Sequence, residues 1–342
     1  MYEIYSRLAR TYGLTMSPAD PGMMTFEIVL TGSVDGSAVH VRRFCGSGAY
    51  VVVSSPYATH LDLGLGLGRA SVLSGIAEWF GAEDIQVGDA AFDAAVTIRG
   101  DEPSRVRALL SAAVRAELGP LLRADFRLTD AECAVTSGCY DESYSMLEGM
   151  LGRVISAARA IDRARPDVPP AAGLRAHHQA LVAISAARGW ELVATPLWMQ
   201  GSIGGDEVTL RGQRYSAAVR MIELVVAHPP LDERLVIDGA RTKLDRIVGA
   251  PFVPTGDAAF DDAFDVHHVA ADRVQRIADA EVRRRLLRLR EVGAIAIHDQ
   301  RAVLRADASQ LDPERIEPTI EELRAVLELI RRNQEGLPPA YR

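Results

Sequence analysis

The chain has 342 residues, of which 48% are hydrophobic and 25% charged, and its formal net charge at pH 7 is -8. This length and composition are typical of a folded chain with two domains. The acidic balance disfavours a general binder of nucleic acid or of an anionic membrane, because both ligands attract a basic surface. No run of about 18 apolar residues occurs, and the first residues do not resemble a signal peptide, so we expect a soluble protein.

Lysine and cysteine usage restricts the chemistry further. Lys243 is the single lysine, and it lies in no motif, which disfavours a P-loop and lysine-based catalysis. The three cysteines, Cys45, Cys133 and Cys139, form no Cys-x-x-Cys pair. This pattern disfavours a disulfide framework or a zinc ribbon and fits a reducing cytoplasm, and we predict no cofactor.

The first 80 residues predict a helix, a meander and a further strand. Apolar residues at helical spacing over 2–12, followed by Gly13, predict a short amphipathic helix with a glycine C-cap. Short segments rich in β-branched residues predict antiparallel strands; they are 24–31, 38–44 and 49–54. The strict alternation of leucine over Leu61–Gly68 predicts another strand, and a helix is expected at about 71–79.

A short motif, Gly88-Asp89-Ala90-Ala91-Phe92-Asp93, follows. We interpret Gly88-Asp89 as a turn and the even spacing of Phe92, Val96 and Ile98 as one face of a strand. The remaining pattern predicts an amphipathic helix, two strands and a closing helix; they are 103–122, 124–129, 132–137 and 143–161.

The motif recurs 168 residues later as Gly256-Asp257-Ala258-Ala259-Phe260-Asp261. Extending the comparison in both directions predicts two tandem copies of one α+β domain, each a mainly antiparallel sheet backed by helices. The predicted organisation has four parts: copy 1 at 1–162, a Pro-rich linker at 163–175, copy 2 at 176–334 and a tail at 335–342. The second copy includes predicted helices at 272–290 and 313–332.

The repeated acids are the first candidate site. Asp89 and Asp93 recur as Asp257 and Asp261, and clustered carboxylates can bind a divalent cation or share acid and base roles. Ordinary turn chemistry explains an Asp after Gly equally well, and we favour this structural explanation.

The arginines of the predicted helix 272–290 are the second candidate site. Arg276, Arg283 and Arg284 lie opposite its apolar stripe, where they could dock an acidic protein surface or a phosphate group. The alternative is a solvated face whose last arginines complement the helix dipole.

The repeated motif, followed by a helix, a hairpin and a closing helix, resembles that of bacterial proteins that carry tandem copies of an α+β domain. The resemblance implies the duplicated fold but no activity and no functional residue. From the residues we expect a non-enzymatic protein-interaction or scaffold module with a protein partner, and a monomer, because a duplicated pair can satisfy its symmetry internally. The alternative is a metal-dependent hydrolase or small-ligand-binding protein that uses the repeated aspartates.

Overall fold

The structure is a computed structural model, and it describes residues 2–18, 26–44, 48–69, 84–139, 142–216, 219–231, 235–239, 252–267 and 271–335. The chain divides into two compact units, Met1–Ala171 (unit 1) and Ala172–Arg342 (unit 2). The boundary falls within the predicted linker.

Unit 1 contains an eight-stranded antiparallel sheet and five α-helices in its described part. The strands are β1 Thr15–Pro18, β2 Phe26–Val34, β3 Ser37–Phe44, β4 Tyr50–Pro56, β5 Gly66–Gly68, β6 Thr97–Arg99, β7 Asp125–Thr129 and β8 Glu132–Gly138. The helices are α1 Tyr2–Tyr12, α2 Ala90–Ala95, α3 Pro103–Leu109, α4 Ala112–Leu118 and α5 Tyr144–Ala164, with 3-10 turns at Gly119–Leu121 and Arg165–Asp167.

Unit 2 repeats this series of elements. The strands are β9 Glu191–Val193, β10 Trp198–Ile203, β11 Asp206–Arg214, β12 Arg220–Ala227, β13 Val236–Gly239, β14 Phe264–His267, β15 Ala294–His298 and β16 Arg301–Asp307. The helices are α6 Arg175–Arg188, α7 Ala258–Ala263, α8 Ala271–Ile277, α9 Ala280–Arg290 and α10 Ile316–Gln334, with 3-10 turns at Ala172–Leu174 and Pro313–Arg315.

The two sheets share one topology. The strand order is β1-β2-β3-β4-β8-β7-β5-β6 in unit 1 and β9-β10-β11-β12-β16-β15-β13-β14 in unit 2, so each strand has its counterpart in the same place. All neighbouring strands pair antiparallel. The α+β fold with two antiparallel sheets, predicted from the repeated motif, is therefore confirmed.

The closing helix of each unit packs on its central strands. In unit 1, α5 contacts β3, β4 and β8 and is flanked by α1 and α4. Its buried stripe consists of Leu147, Leu151, Val154, Ala158 and Ile161, at alternating spacings of four and three. In unit 2, α10 contacts β12, α8 and α9. The opposite face of α5 remains available for other contacts, because a helix presents only one stripe to its own core.

The predicted strand directly after Gly88 is wrong, because the residues after the turn form the helix α2. Asp89 is its N-cap, and the Asp89 carboxylate accepts a hydrogen bond from the Phe92 backbone N–H at 3.2 Å. A strand begins only at Thr97. Phe92 and Val96 are four residues apart, which fits a turn of helix as well as two strand repeats, so the spacing alone could not decide.

The predicted helices 103–122 and 272–290 are each broken in two. In unit 1 the backbone leaves helical geometry at Leu110, and the Ser111 side chain caps α4. In unit 2 the Asp279 side chain accepts a hydrogen bond from the Val282 N–H at 2.9 Å and caps α9. The apolar stripe predicted across the break is buried in both units, so the burial prediction is confirmed although the continuous helix is wrong.

The predicted strand Leu61–Gly68 is largely wrong, since only Gly66–Gly68 pairs as a strand. Asp62 and Gly64 adopt positive φ angles of 57° and 63°, which interrupt extended backbone. The four leucines are nevertheless buried, as the alternation indicates.

Several predictions lie partly or wholly outside the described residues. These are the helix at 71–79, the first two residues of strand 24–31, Cys45, Lys243 and most of the tail. Within the predicted linker, Val168, Ala171 and Leu174 are buried, and the two 3-10 turns give this segment ordered backbone.

Candidate functional site

The aspartates of the repeated motif are built into the turn that precedes α2. The Asp93 carboxylate accepts backbone N–H groups from Val87 at 2.9 Å, Gly88 at 3.1 Å and Asp89 at 3.1 Å. Gly88 has a φ of 80°, which a glycine adopts without strain. Asp93 therefore closes the turn, and Asp89 caps the helix that follows.

Unit 2 repeats this arrangement atom for atom. Asp257 accepts the Phe260 N–H at 3.2 Å, and Asp261 accepts the N–H groups of Thr255 at 2.9 Å and Gly256 at 3.0 Å. The Thr255 hydroxyl also donates to Asp261, at 2.7 Å. The duplication thus extends from sequence to hydrogen bonding.

One arginine in each unit joins the motif to the next helix. Arg115 donates from Nε to Asp89 at 3.2 Å and from Nη1 to the Leu110 carbonyl at 2.7 Å. Arg283 makes the same contacts in unit 2, to Asp257 at 3.3 Å and to the Ala278 carbonyl at 2.6 Å. The Phe92 N–H and Arg115 hold the pKa of Asp89 below its usual value.

These contacts occupy every oxygen of the four repeated carboxylates. Each Oδ1 and Oδ2 accepts a hydrogen bond from a backbone N–H, a hydroxyl or an arginine. No group of three or more His, Cys, Asp or Glu side chains is placed to hold a metal ion in the described part of the chain. The arrangement therefore favours a structural role for the motif.

We expect Asp93→Ala to destabilise unit 1 and Asp261→Ala to destabilise unit 2, each by about 2 kcal/mol, because each leaves at least two backbone N–H groups without an acceptor. Amide hydrogen exchange of α2 and α7 measures the effect in each unit separately. Asp262→Ala is the control, since Asp262 is exposed and its loss should cost at most about 0.5 kcal/mol. Equal effects of Asp261→Ala and Asp262→Ala would contradict the structural role.

The three candidate arginines lie in different surroundings. Arg283 forms the tie to Asp257 described above, and its side chain is only 16% exposed. Arg284 is exposed and pairs with Glu281 on its own helix. Arg276 is exposed and donates to the Glu335 carbonyl at 3.5 Å. They do not converge on one site.

Further ion pairs reduce the charge of the arginine face of α9. Arg285 binds both Glu281 and Glu322, at 2.6 Å each, and Arg288 binds Glu322 at 3.1 Å. The face is therefore largely an ion-pair network between α9 and α10. Of the three candidates, Arg276 has the fewest polar contacts.

A groove runs along the outer face of α5 in unit 1, with a volume of about 860 Å³. Its floor is formed by Leu151, Gly152 and Ile155, and its walls carry Tyr12 from the end of α1 and Glu117 from α4. Arg159 and Arg163 follow at successive turns of α5. The sequence analysis did not identify this groove.

The two arginines of the groove have different surroundings. Arg159 holds the β2–β3 turn against α5, because it donates to the Ser37 hydroxyl at 2.9 Å and to the Asp35 carbonyl at 2.5 Å. Arg163 donates through Nε to the Arg159 carbonyl at 3.3 Å. Among the described residues, no acceptor lies within hydrogen-bond distance of the Arg163 terminal nitrogens.

The counterparts of the groove residues in unit 2 follow from the matching helices. The buried stripe of α10 consists of Ile316, Ile320, Leu323, Leu327 and Ile330, which have the spacing of the α5 stripe 169 residues earlier. Residues next to the C-cap glycines of α1 and α6 also correspond: Tyr12 binds Glu148 at 3.0 Å, and Arg188 binds Glu317 at 2.9 Å. Gly152 and Ile155 therefore correspond to Glu321 and Arg324.

Charged side chains cross the equivalent surface of unit 2. Glu321 binds Arg188 at 2.8 Å and Arg324 at 3.1 Å. Arg324 lies 3.6 Å from Asp206, the first residue of β11, and Arg331 binds the same buried carboxylate at 2.9 Å. Ion pairs thus join α10 to α6 and β11, where unit 1 has glycine and isoleucine and an open groove.

No protein-family model matches this chain, and no curated protein matches it. A solved structure that it resembles is the crystal structure of the mycobacterial trehalose monomycolate transport factor A, TtfA. The alignment has 13% sequence identity and a TM-score of 0.35, and it covers 49% of this chain and 97% of that one. A likeness at this level carries no argument about fold or activity. None of the helices within the described ranges is both long and apolar enough to cross a bilayer.

Proposed function

We propose that this chain is a non-enzymatic interaction module, in which unit 1 binds a partner protein in the groove along α5. The observation that carries the proposal is the difference between the two units: the surface closed by ion pairs in unit 2 is an open groove in unit 1. A duplicated domain that keeps its fold in both copies and opens one surface in a single copy has the asymmetry expected of a dedicated binding site.

The hydrolase alternative has less support. A metal or a substrate at the repeated aspartates would have to displace backbone N–H groups and an arginine from oxygens that already accept hydrogen bonds. The proposal includes a monomer in the cytoplasm, which rests on the internal duplication and on the three cysteines without a pairing motif.

The test uses Gly152→Arg, which places a long side chain in the groove. An ideal Cβ at Gly152 meets no atom within 4 Å, so the substitution fits the backbone. Replacing a glycine inside a helix should raise the free energy of unfolding by about 1 kcal/mol. Loss of binding in this variant would therefore not reflect loss of fold.

The tagged protein is purified from its own cells, and co-purifying proteins are identified by mass spectrometry. We expect a stoichiometric partner with the wild type that is absent with Gly152→Arg. The matched control is Gly149→Arg, which introduces the same side chain on α5 at an exposed position that does not line the groove. A partner retained by Gly152→Arg, or no partner at all, would contradict the proposal.

A further inference from the structure

We infer that the groove along α5 recognises an acidic amphipathic helix of the partner protein, with apolar residues on Leu151 and Ile155 and carboxylates beside Arg163. The inference rests on the proposed function and specifies the chemistry of the partner at the same site.

The shape of the groove fits a helix. It follows α5 from Leu151 to Arg163, which is about 18 Å along the helix axis and the length of about three turns. An amphipathic helix that binds in a groove places anchors at i, i+3 or i+4 and i+7, and three turns suffice for such a set. A compact small molecule would use only part of this length.

The floor allows a second helix to approach closely. Gly152 and Ser156 are four residues apart and lie on the same face of α5, where their small side chains leave the backbone accessible. Gly152 is exposed, and its ideal Cβ meets nothing within 4 Å, so packing within the chain does not require a glycine there. The neighbouring floor residues, Leu151 and Ile155, supply apolar contact.

The charge of the groove selects an acidic partner. The acids of its walls and rim already have partners: Glu117 accepts from the Ser156 hydroxyl at 2.7 Å, and Asp162 accepts from the Ala58 N–H at 3.2 Å. Asp35 lies 3.9 Å from Arg159.

Arg163, in contrast, presents its terminal nitrogens to the groove with no acceptor among the described residues. A second cavity of about 370 Å³, lined by Arg163 and Glu117 among others, adjoins this end of the groove. A carboxylate is the natural partner for a guanidinium in this position.

The probe is a displayed library of randomised 16-residue peptides, selected against the full chain and counter-selected against Gly152→Arg. We expect the enriched peptides to share apolar residues at helical spacing, flanked by Asp or Glu. Fluorescence anisotropy of one such peptide should show at least about tenfold weaker binding to Arg163→Glu than to the wild type. Binding to Gly152→Arg should be lost.

Arg153→Glu is the matched control, since Arg153 lies on α5, is exposed and does not line the groove. Its affinity for the peptide should change less than about twofold. Equal losses in Arg153→Glu and Arg163→Glu would overturn the inference, because they would indicate general charge attraction.

The remaining outcomes separate the inference from the proposed function. Enriched peptides without acidic residues that still fail to bind Gly152→Arg would overturn the acidic helix and leave the groove as the interaction site. Failure to enrich any peptide would also overturn the inference. A cellular partner that ignores Gly152→Arg would overturn the proposed function itself.

Discussion

Glu142→Leu is expected to lower the free energy of unfolding of unit 1 by about 3–5 kcal/mol. Glu142 accepts hydrogen bonds from Arg43 Nε at 3.0 Å and from the Tyr5 hydroxyl at 3.0 Å. Its side chain and that of Arg43 are each only 5% exposed. The substitution removes the carboxylate that balances a buried guanidinium, and this charge cannot reach water without opening the core.

The same cluster fixes the protonation of Tyr5. Burial, followed by the Glu142 charge and hydrogen bond, raises the pKa of Tyr5 above its usual value. The hydroxyl therefore stays protonated at neutral pH and donates to Glu142.

Unit 2 suggests the control for this prediction. Its equivalents of Tyr5, Arg43 and Glu142 are Leu181, Gly212 and Leu311, and Leu181 and Leu311 are buried. Apolar packing can therefore fill this place in the fold. The double variant Arg43→Leu/Glu142→Leu should recover most of the stability lost in Glu142→Leu, because it removes both charges.

Amide hydrogen exchange of α1 and α5 measures the opening free energy of unit 1 for each variant. It is the appropriate method because Trp190 and Trp198 both lie in unit 2, so their fluorescence reports on the other half of the chain. A Glu142→Leu effect below about 1 kcal/mol, or a double variant less stable than the single one, would contradict the assignment of a buried charge pair.

The duplicated α+β architecture could be predicted because its signals are local and repeated. The motif Gly88–Asp93 and its twin at Gly256–Asp261 fix the correspondence of the two halves. The sequence could not show how the second aspartate is used, since the turn brings Asp93 back to the N–H of Val87, six residues earlier.

The breaks in the two predicted long helices had a detectable signal. Ser111 and Asp279 are N-cap residue types, and each lies three residues before a buried valine of the next helix. The continuous apolar stripe concealed these caps, because a stripe can continue across two short helices that pack on the same surface.

The groove was harder to predict, since it is a property of three separate elements. Its single local sign is the pair Gly149 and Gly152 in the interior of α5, where glycine costs about 1 kcal/mol relative to alanine. Comparison of Gly152 with Glu321, and of Ile155 with Arg324, requires the alignment of α5 with α10 that the buried stripes provide. The internal duplication therefore supplies the comparison that identifies the groove.

Asp130 is the clearest case of a residue whose role depends on the fold, and it leads to the second large prediction. It directly follows β7 and is 7% exposed. Its carboxylate accepts the backbone N–H groups of Leu63 at 3.1 Å, Gly64 at 2.7 Å and Leu65 at 3.0 Å. Nothing in the local sequence indicates a partner 65 residues away.

These bonds account for the conformation of Leu61–Gly68. The positive φ angles of Asp62 and Gly64 turn three successive N–H groups towards one carboxylate and still direct all four leucines into the core. Asp130 thus replaces the strand partner that this segment would otherwise need, because buried backbone N–H groups require an acceptor.

Asp130→Ala should therefore destabilise unit 1 by about 3 kcal/mol, since it leaves three buried or half-buried N–H groups without their acceptor. Faster hydrogen exchange should appear first at the amides of Leu63 and Leu65. The matched control is Asp125→Ala, on the same strand β7 but exposed, with an expected effect within about 0.5 kcal/mol. Unchanged protection at Leu63 and Leu65 in Asp130→Ala would mean that burial of the leucines alone holds the segment. The expected loss of protection would instead identify the carboxylate as the group that sets its path.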